Sequence, residues 1–286
     1  MMRIYKFFVY FALIALAILI LVPVAWVVMA AFKETAEHYG NPWALPSHIH
    51  WQNFVSAWTK ANMGGYMLHS LTVTGLSLGI LLLVALPASY CLARFHFMGR
   101  GFLNTCFMAG LFVNVNYIVV PIYLMLSDGD KWLRSWLGSA LLLNNHLVVA
   151  VVYAATALPF TIYLLTGYFS TLPHDFEEAA YMDGAGYGRT MVQILFPMAK
   201  PAIITVILFN FLSFWNEYII IKTLITDRKL WTLPAGLLNL MQAQQSAAEY
   251  GSMYAGLVLV MVPVLVLYIC VQKDLTKGMT AGGLKG

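Results

Sequence analysis

The sequence predicts an all-α membrane protein with six transmembrane helices. Of its 286 residues, 61% are hydrophobic and only 10% are charged, whereas about a quarter of the residues in a typical soluble domain are charged. The uncharged stretches match the ~20 apolar residues that a helix needs to cross the hydrocarbon layer. A β-barrel would instead need segments of ~10 residues with alternating polarity, and the sequence does not show that pattern.

Each predicted helix corresponds to one long apolar stretch. Residues 7–32, 61–93, 101–127, 135–172 and 250–272 contain no charge, and residues 201–221 contain one acidic residue, Glu217. The first stretch is longer than the 7–15 apolar residues of a cleavable signal, so it is expected to remain as a helix. One domain over residues 1–286 is expected, with helices at about 8–32, 67–92, 103–126, 146–168, 201–223 and 251–272.

The Lys and Arg residues that flank the spans predict the orientation. If the N-terminus is inside, nine of the 16 Lys and Arg residues are cytoplasmic and seven are outside. The bias is clearest at Arg94 and Arg100, which bracket a short loop. Both termini and the loop between the fourth and fifth spans are therefore expected in the cytoplasm. The net charge of +4 reflects this topology and gives no support for nucleic-acid binding.

The polar segment at residues 170–200, between the fourth and fifth spans, predicts a short helix exposed to water. Pro173 suits a first helical turn, where a missing N–H costs nothing. Asp175, Glu177 and Glu178 place negative charge at the positive end of the helix dipole. Gly184 is expected to end the helix with a positive φ, which favours glycine. A water-exposed amphipathic helix on a membrane protein indicates a docking element.

The same segment carries a gapped motif: Glu178-Ala179-Ala180, then Gly184, Ile194 and Phe196-Pro197. This spacing resembles the cytoplasmic coupling loop of binding-protein-dependent ABC permeases, although that family usually has Leu before the proline. The resemblance implies a type I ABC importer permease fold, with a coupling helix between helices 4 and 5. It also implies that the residues contacting the ATPase are Glu178, Ala179, Ala180, Asp183 and Gly184.

Further motifs are similar to the carbohydrate branch of these permeases, and to its maltose-type second subunit in particular. They are Asn53-Phe54, Tyr90-Cys91-Leu92-Ala93-Arg94, Phe97-Met98-Gly99, Phe214-Trp215-Asn216-Glu217 and the Gly-rich C-terminal tail. One departure is His69-Ser70, where the branch generally has Asn-Ser, and the role of His69 is left open. The tail is expected to be too flexible to fold alone. By resemblance, it would contact the ATPase through Thr280, Gly282, Gly283 and Lys285.

The resemblance implies half of the translocation pore of an ATP-driven importer for a sugar, expected to be an oligosaccharide or glycoside. The implied partners are a homologous permease, an ABC ATPase dimer and an extracytoplasmic sugar-binding protein in a prokaryotic inner membrane. The alternatives are an ABC importer for an amino acid or peptide, and an ion-coupled secondary transporter. The sequence lacks a phosphate-binding Gly-x-x-x-x-Gly-Lys-Ser/Thr loop. The chain is therefore expected to be a transport subunit and no enzyme, with neither cofactor nor metal.

Polar residues within the spans are the candidates for the substrate path, because such residues are costly in lipid. They are Asn114 and Tyr117 in the third helix and Asn210, Ser213 and Asn216 in the fifth. Amides, hydroxyls and aromatic rings suit a sugar, but the same groups also bond helices to one another, and both interpretations stay open. Glu217 is expected near the outer headgroups, in water or paired with Lys222. Which sugar is carried is not predicted.

Overall fold

The computed structural model describes residues 2–247 and 250–283, and the side chains of residues 5–242 and 250–272. Within these residues the secondary structure is helical throughout, with fourteen α-helices, one π-helical turn at Met191–Leu195 and one 3-10 turn at Arg228–Leu230. The helices are α1 (Met2–Ala30), α2 (Thr35–Gly40), α3 (Gln52–Thr59), α4 (Met63–Arg94), α5 (Arg100–Gly110), α6 (Val115–Leu137), α7 (His146–Thr171), α8 (Asp175–Met182), α9 (Tyr187–Thr190), α10 (Phe196–Met198), α11 (Lys200–Asn216), α12 (Ile219–Leu224), α13 (Leu233–Ala247) and α14 (Tyr250–Gly283).

Four of these helices, α1, α4, α7 and α14, are long and apolar enough to cross a membrane. Two bent pairs bring the number to six if each pair is one span. The first pair joins α5 to α6 with a bend of 104°, and the second joins Tyr187–Met198 to α11 with a bend of 75°. The six-span prediction agrees with this count.

The third predicted span, a single helix at 103–126, is interrupted in the structure. Helix α5 ends at Gly110 and α6 begins at Val115. Asn114 has an extended backbone and its side chain accepts a hydrogen bond of 2.9 Å from the backbone N–H of Asn116. This is the geometry of a helix N-cap, which satisfies one of the free N–H groups of a new helix. The amide at position 114 therefore starts a helix.

The fifth predicted span, at 201–223, is also interrupted. Helix α11 ends at Asn216 and Glu217 is extended, with φ −74° and ψ 130°. A Glu217 carboxylate oxygen accepts hydrogen bonds from the backbone N–H groups of Ile219 at 2.7 Å and Ile220 at 2.9 Å. These bonds start α12, because they satisfy donors that have no partner within the new helix.

By contacts the chain forms two compact units, and the expectation of one domain over residues 1–286 stays a prediction. The first contains Met1–Tyr66 and Gly236–Pro263. The segment that follows α1 in this unit is fixed by Lys33, which is fully buried and donates hydrogen bonds to the carbonyls of Asn41 at 3.1 Å and Pro42 at 2.8 Å. The side-chain amide of Asn53 also donates to the carbonyl of Lys33 at 2.8 Å.

The second unit contains Met67–Ala235 and Val264–Gly286. Helix α7 lies at its centre and packs against α5 and α11. The approach of α5 is close: a Cβ atom added to Gly110 would lie 2.8 Å from the ring of Pro159. Tyr153, Phe169 and Trp215 are fully buried in this unit. Helix α7 therefore holds the elements that form both sites described below.

Candidate coupling helix and transport cavity

Helix α8, at Asp175–Met182, is the short helix predicted in the polar segment. Its first turn carries Asp175, Glu177 and Glu178. Gly184 has a φ of +78°, which confirms the predicted positive φ. The N–H of Ala185 donates to the carbonyl of Ala180 at 2.9 Å, and that of Gly184 donates to Tyr181 at 3.0 Å. These two bonds form a Schellman motif, which satisfies the last carbonyls of a helix.

Burial divides α8 into two faces. Glu177 is 6% exposed and Ala180 is 4% exposed, because both are covered by this chain. Among the five residues predicted to contact the ATPase, the other four, Glu178, Ala179, Asp183 and Gly184, are exposed. Ala179 and Ala180 therefore lie on different sides of α8, because Ala180 is three residues from Glu177 and shares its inward side. Contact of the five residues with the ATPase stays a prediction.

An ion pair that the sequence analysis missed holds the buried face of α8. Arg94 Nε lies 3.4 Å from Glu177 Oε1, and both side chains are buried. Arg94 Nη2 donates to the carbonyl of Leu172 at 2.8 Å, and Nη1 lies 3.2 Å from His174 Nε2. Nearby, burial raises the pKa of the Tyr181 hydroxyl. The only sequence signal was the doubled Glu177-Glu178, of which one carboxylate faces inward.

A cavity of about 380 Å³ lies in the second unit, between α6, α7, α11 and α12. Its walls combine aromatic rings with amide, hydroxyl and carboxylate groups. The lining residues are Val115, Asn116, Tyr153, Thr156, Ala157, Phe160, Phe209, Asn210, Ser213, Phe214, Glu217 and Ile220.

Two of the five predicted substrate-path residues, Asn210 and Ser213, line this cavity. Asn210 also donates hydrogen bonds to Thr161 Oγ1 at 3.0 Å and to the carbonyl of Val206 at 2.9 Å. Its amide thus bonds α11 to α7, as the alternative interpretation of this residue expected. The hydroxyl of Ser213, on an exposed side chain, is the freer group for a ligand.

The other three predicted residues lie outside the cavity lining. Asn114 caps α6, Tyr117 is 82% exposed, and the Asn216 amide donates to the carbonyl of Leu212 at 2.8 Å. Tyr153, Phe160 and Phe209 also line the cavity but were not predicted, because aromatic residues in a span also occur as ordinary packing residues. Their spacing along α7 and α11 was visible in the sequence. It indicates a shared cavity only once these two helices are known to pack against each other.

Glu217 lies in the cavity wall, whereas the sequence predicted that it would be in water or paired with Lys222. Its Oε2 accepts a hydrogen bond of 2.6 Å from the Tyr153 hydroxyl, and its Oε1 accepts the two N–H groups that start α12. The ammonium group of Lys222 lies 5.5 Å from the ring centroid of Trp231. Backbone donors and a buried phenol therefore satisfy the carboxylate, in place of a surface cation.

The predicted tail residues belong to the end of α14, which extends to Gly283. The backbone of Thr280, Gly282 and Gly283 is helical, whereas Lys285 lies outside the described residues. The expectation that the tail cannot fold is thus wrong up to Gly283. A helix already formed at Tyr250 adds one hydrogen bond for each further residue that it orders, so α14 extends beyond its apolar part.

The family described as "Binding-protein-dependent transport system inner membrane component" matches residues 1–279. The chain belongs to this family. The permease protein NgcG of a diacetylchitobiose uptake system in Streptomyces coelicolor is 36% identical, over 94% of this chain and 86% of that protein. MsmG, a permease protein of a multiple sugar-binding transport system in Streptococcus mutans, is 30% identical over 99% of this chain and 98% of that protein.

The permease fold also appears in a solved structure. A crystal structure of a bacterial ABC transporter involved in the import of the acidic polysaccharide alginate contains a chain with a TM-score of 0.78 and 23% identity. The match covers 95% of this chain and 96% of that one. The permease described here therefore has an ABC importer permease fold and is a multi-pass component of the inner membrane.

Proposed function

We propose that this permease forms half of the translocation pore of an ATP-driven importer for an oligosaccharide or glycoside. A homologous permease would form the other half, an ABC ATPase dimer would hydrolyse ATP, and an extracytoplasmic binding protein would deliver the sugar. Both termini and α8 face the cytoplasm in this arrangement. The relatives NgcG and MsmG, whose names refer to uptake of diacetylchitobiose and of multiple sugars, support a carbohydrate substrate.

The composition of the cavity wall is the observation that supports a sugar most directly. Tyr153, Phe160, Phe209 and Phe214 supply aromatic surface, while Asn116, Thr156 and Ser213 supply hydrogen-bonding groups. Binding sites for small molecules combine apolar walls with a few polar groups and have volumes of ~300–1,000 Å³, and the cavity of about 380 Å³ lies within this range.

The charge state of the wall favours a neutral ligand. Glu217 is the one carboxylate among the residues that line the cavity, and they include neither Lys nor Arg. The Tyr153 hydroxyl and two backbone N–H groups already donate to its oxygens, which leaves Glu217 few acceptor positions for a substrate. A neutral, hydroxyl-rich molecule matches the remaining amide and hydroxyl groups better than an amino acid with two opposite charges.

The exposed face of α8 supports the proposed contact with the ATPase. Glu178, Ala179, Asp183 and Gly184 face outward from this chain, and Glu178 offers a carboxylate to a basic residue of the ATPase. Because three consecutive residues separate the end of α7 from the start of α8, a force on α8 reaches a membrane-spanning helix over a short distance. This is how ATP-driven closure of the ATPase pair would rock the permease.

The proposal is tested by uptake into proteoliposomes that contain the complete transporter. The cognate binding protein is first screened by thermal shift against mono- and oligosaccharides, amino acids and peptides, and the ligand that stabilises it is used for transport. ATP-dependent uptake of an oligosaccharide or glycoside is expected. Stabilisation by an amino acid or peptide alone, with uptake of that solute, would overturn the sugar assignment.

The cavity is tested separately with two substitutions on α7. Ala157 lines the cavity, and Ala155 is exposed on another side of the same helix. Ala157→Trp is expected to fill the cavity and abolish uptake while the ATPase stays bound. Ala155→Trp, which adds the same bulk outside the cavity, is expected to transport normally. Full uptake by Ala157→Trp would remove the cavity from the substrate path.

A further inference from the structure

We propose that Arg94, His174 and Glu177 form a clamp that joins α8 directly to the cytoplasmic end of α4, so that movement of the coupling helix drives α4 as well as α7. The inference rests on the proposed role of α8 as the ATPase-docking helix. It assigns Arg94 and Glu177 as positioning residues: they transmit the movement and do not themselves contact the ATPase.

The burial of both charges indicates that the pair has a specific task. Arg94 is 9% exposed and Glu177 is 6% exposed, although α8 has an exposed face only one residue away, at Glu178. Arg94 Nε and Glu177 Oε1 make no hydrogen bond in the described part of the chain, so their contact at 3.4 Å is an ion pair. Breaking a buried ion pair is more damaging than replacing both partners. The two residues therefore depend on each other.

The guanidinium group of Arg94 connects the ends of three helices. Arg94 is the last residue of α4, where a cation also complements the negative end of the helix dipole. Its Nη2 donates to the carbonyl of Leu172, the C-cap of α7, at 2.8 Å. Its Nη1 reaches His174, the N-cap of α8, at 3.2 Å. Lysine has no planar fork of donors that would reproduce this set of contacts.

His174 adds a second contact between α4 and α8. Its Nδ1 lies 3.1 Å from Glu177 Oε2, and its Nε2 faces Arg94 Nη1 at 3.2 Å. Because a guanidinium only donates and a carboxylate only accepts, the arrangement requires Nδ1 to carry the proton and Nε2 to accept. The ring thus links the cation of α4 to the anion of α8 on a second path, beside the direct ion pair.

The clamp allows a movement of α8 to be transmitted to α4. Along the chain, α8 is joined closely to α7, whereas Arg94 and Glu177 are separated by the whole of the third and fourth spans. The buried contacts make α4 a second lever, and α4 is itself one of the helices long enough to cross the membrane. Without the clamp, α8 would move with α7 while α4 lost its connection to it.

The test compares Glu177→Gln with its exposed neighbour, Glu178→Gln, in the complete reconstituted transporter. Glu177→Gln removes the charge but keeps the shape. It is expected to retain the ATPase and basal ATP hydrolysis, while sugar transported per ATP falls about fivefold or more. Arg94→Lys is expected to do the same. Glu178→Gln is expected to weaken ATPase binding instead, with normal transport per ATP in the complexes that remain.

A double variant separates coupling from folding. If the single variants reduce the yield, Arg94→Gln combined with Glu177→Gln is expected to recover it, because no buried charge is left unpaired. Transport per ATP should stay low in the double variant. The proposal is overturned if both single variants transport normally per ATP, or if they fail only by losing the ATPase as Glu178→Gln does.

A readout that needs no sugar distinguishes failure of the clamp from failure of the proposed function. Cys91 is a free, exposed cysteine on α4, one turn before Arg94, and Cys106 and Cys270 are replaced by Ser. The rate of Cys91 alkylation is expected to differ between nucleotide-free and ATP-trapped complexes, and Glu177→Gln should abolish the difference. An unchanged rate in the parent complex, or a persistent difference in Glu177→Gln, would contradict transmission to α4, whatever solute is carried.

Discussion

Tyr153 of α7 donates a hydrogen bond of 2.6 Å to Glu217, the C-cap residue that follows α11. Tyr153 is 1% exposed, and its ring stacks on that of Phe214 with centroids 5.4 Å apart. The same carboxylate starts α12 through the N–H groups of Ile219 and Ile220. The Glu217 side chain thus fixes the break in the fifth span, and the Tyr153 hydroxyl holds that side chain against α7, the fourth span.

Tyr153→Phe is expected to destabilise the permease by about 1–3 kcal/mol, because it leaves a Glu217 oxygen without its donor. The measurement is the thermal unfolding of the purified complex. Tyr163→Phe is the matched control, since Tyr163 lies on the same helix with 54% of its surface exposed, and it should unfold with the parent. Equal stability of Tyr153→Phe and the parent would show that the bond does not hold the break.

His69 and His146 anchor the loop that follows α12. His69 Nδ1 lies 3.2 Å from the carbonyl of Trp231, and His146 Nε2 lies 2.7 Å from that of Leu230. Their rings are in contact, with centroids 4.7 Å apart. His69→Leu removes one donor and is expected to cost about 1 kcal/mol, with faster proteolysis in the loop. His69→Asn keeps an N–H donor, so it should lose less stability than His69→Leu. If His69→Leu has the same stability and proteolysis rate as the parent, the hydrogen bond from His69 does not hold the loop.

The positions of the apolar segments were predictable, because length and hydrophobicity alone decide whether a helix spans a membrane. The breaks at Asn114 and Glu217 were not, since an amide or carboxylate in a span also serves as a ligand group or a bond between helices. Tertiary contacts decide the role of these two residues. Glu217 contacts Tyr153 of another helix, and Gly110 beside the first break packs against Pro159. Neither contact is visible in a hydrophobic pattern.

The existence and the bounds of α8 were predictable from the sequence to a similar degree. Its acidic first turn and Gly184 are local signals, and both appear in the structure as expected. The inward position of Ala180 was not predicted, because it depends on a residue that is distant in the sequence: Arg94 forms an ion pair with Glu177 on the buried side of α8, and Ala180 shares that side. A motif indicates which residues matter, whereas only the fold indicates which way they point.

Gly184 provides a test of charge at the proposed ATPase contact, the exposed face of α8. A Cβ atom added at this position meets nothing within 4 Å, so the cost of a side chain within this chain is the positive φ, about 1 kcal/mol. Gly184→Asp is expected to stay in the membrane with its partner permease, release the ATPase and lose uptake. Gly184→Asn has nearly the same shape without the charge and tolerates this conformation, so it should retain the ATPase. Full uptake by Gly184→Asp would contradict docking at this turn.

Substitutions at Ala179 and Ala180, within one turn of α8, are expected to separate loss of ATPase binding from loss of stability. Ala179→Trp adds bulk to the exposed face, so it is expected to reach the membrane in normal amount and to lose the ATPase. Ala180 is 4% exposed, and Ala180→Trp places the same ring inside this chain, where overpacking costs about 1–3 kcal/mol or more. It is expected to lower the yield and the unfolding temperature before any ATPase is added. The measurements are co-purification with the ATPase and thermal unfolding of both variants. If Ala180→Trp has normal yield and stability but releases the ATPase, Ala180 belongs to the proposed ATPase contact after all.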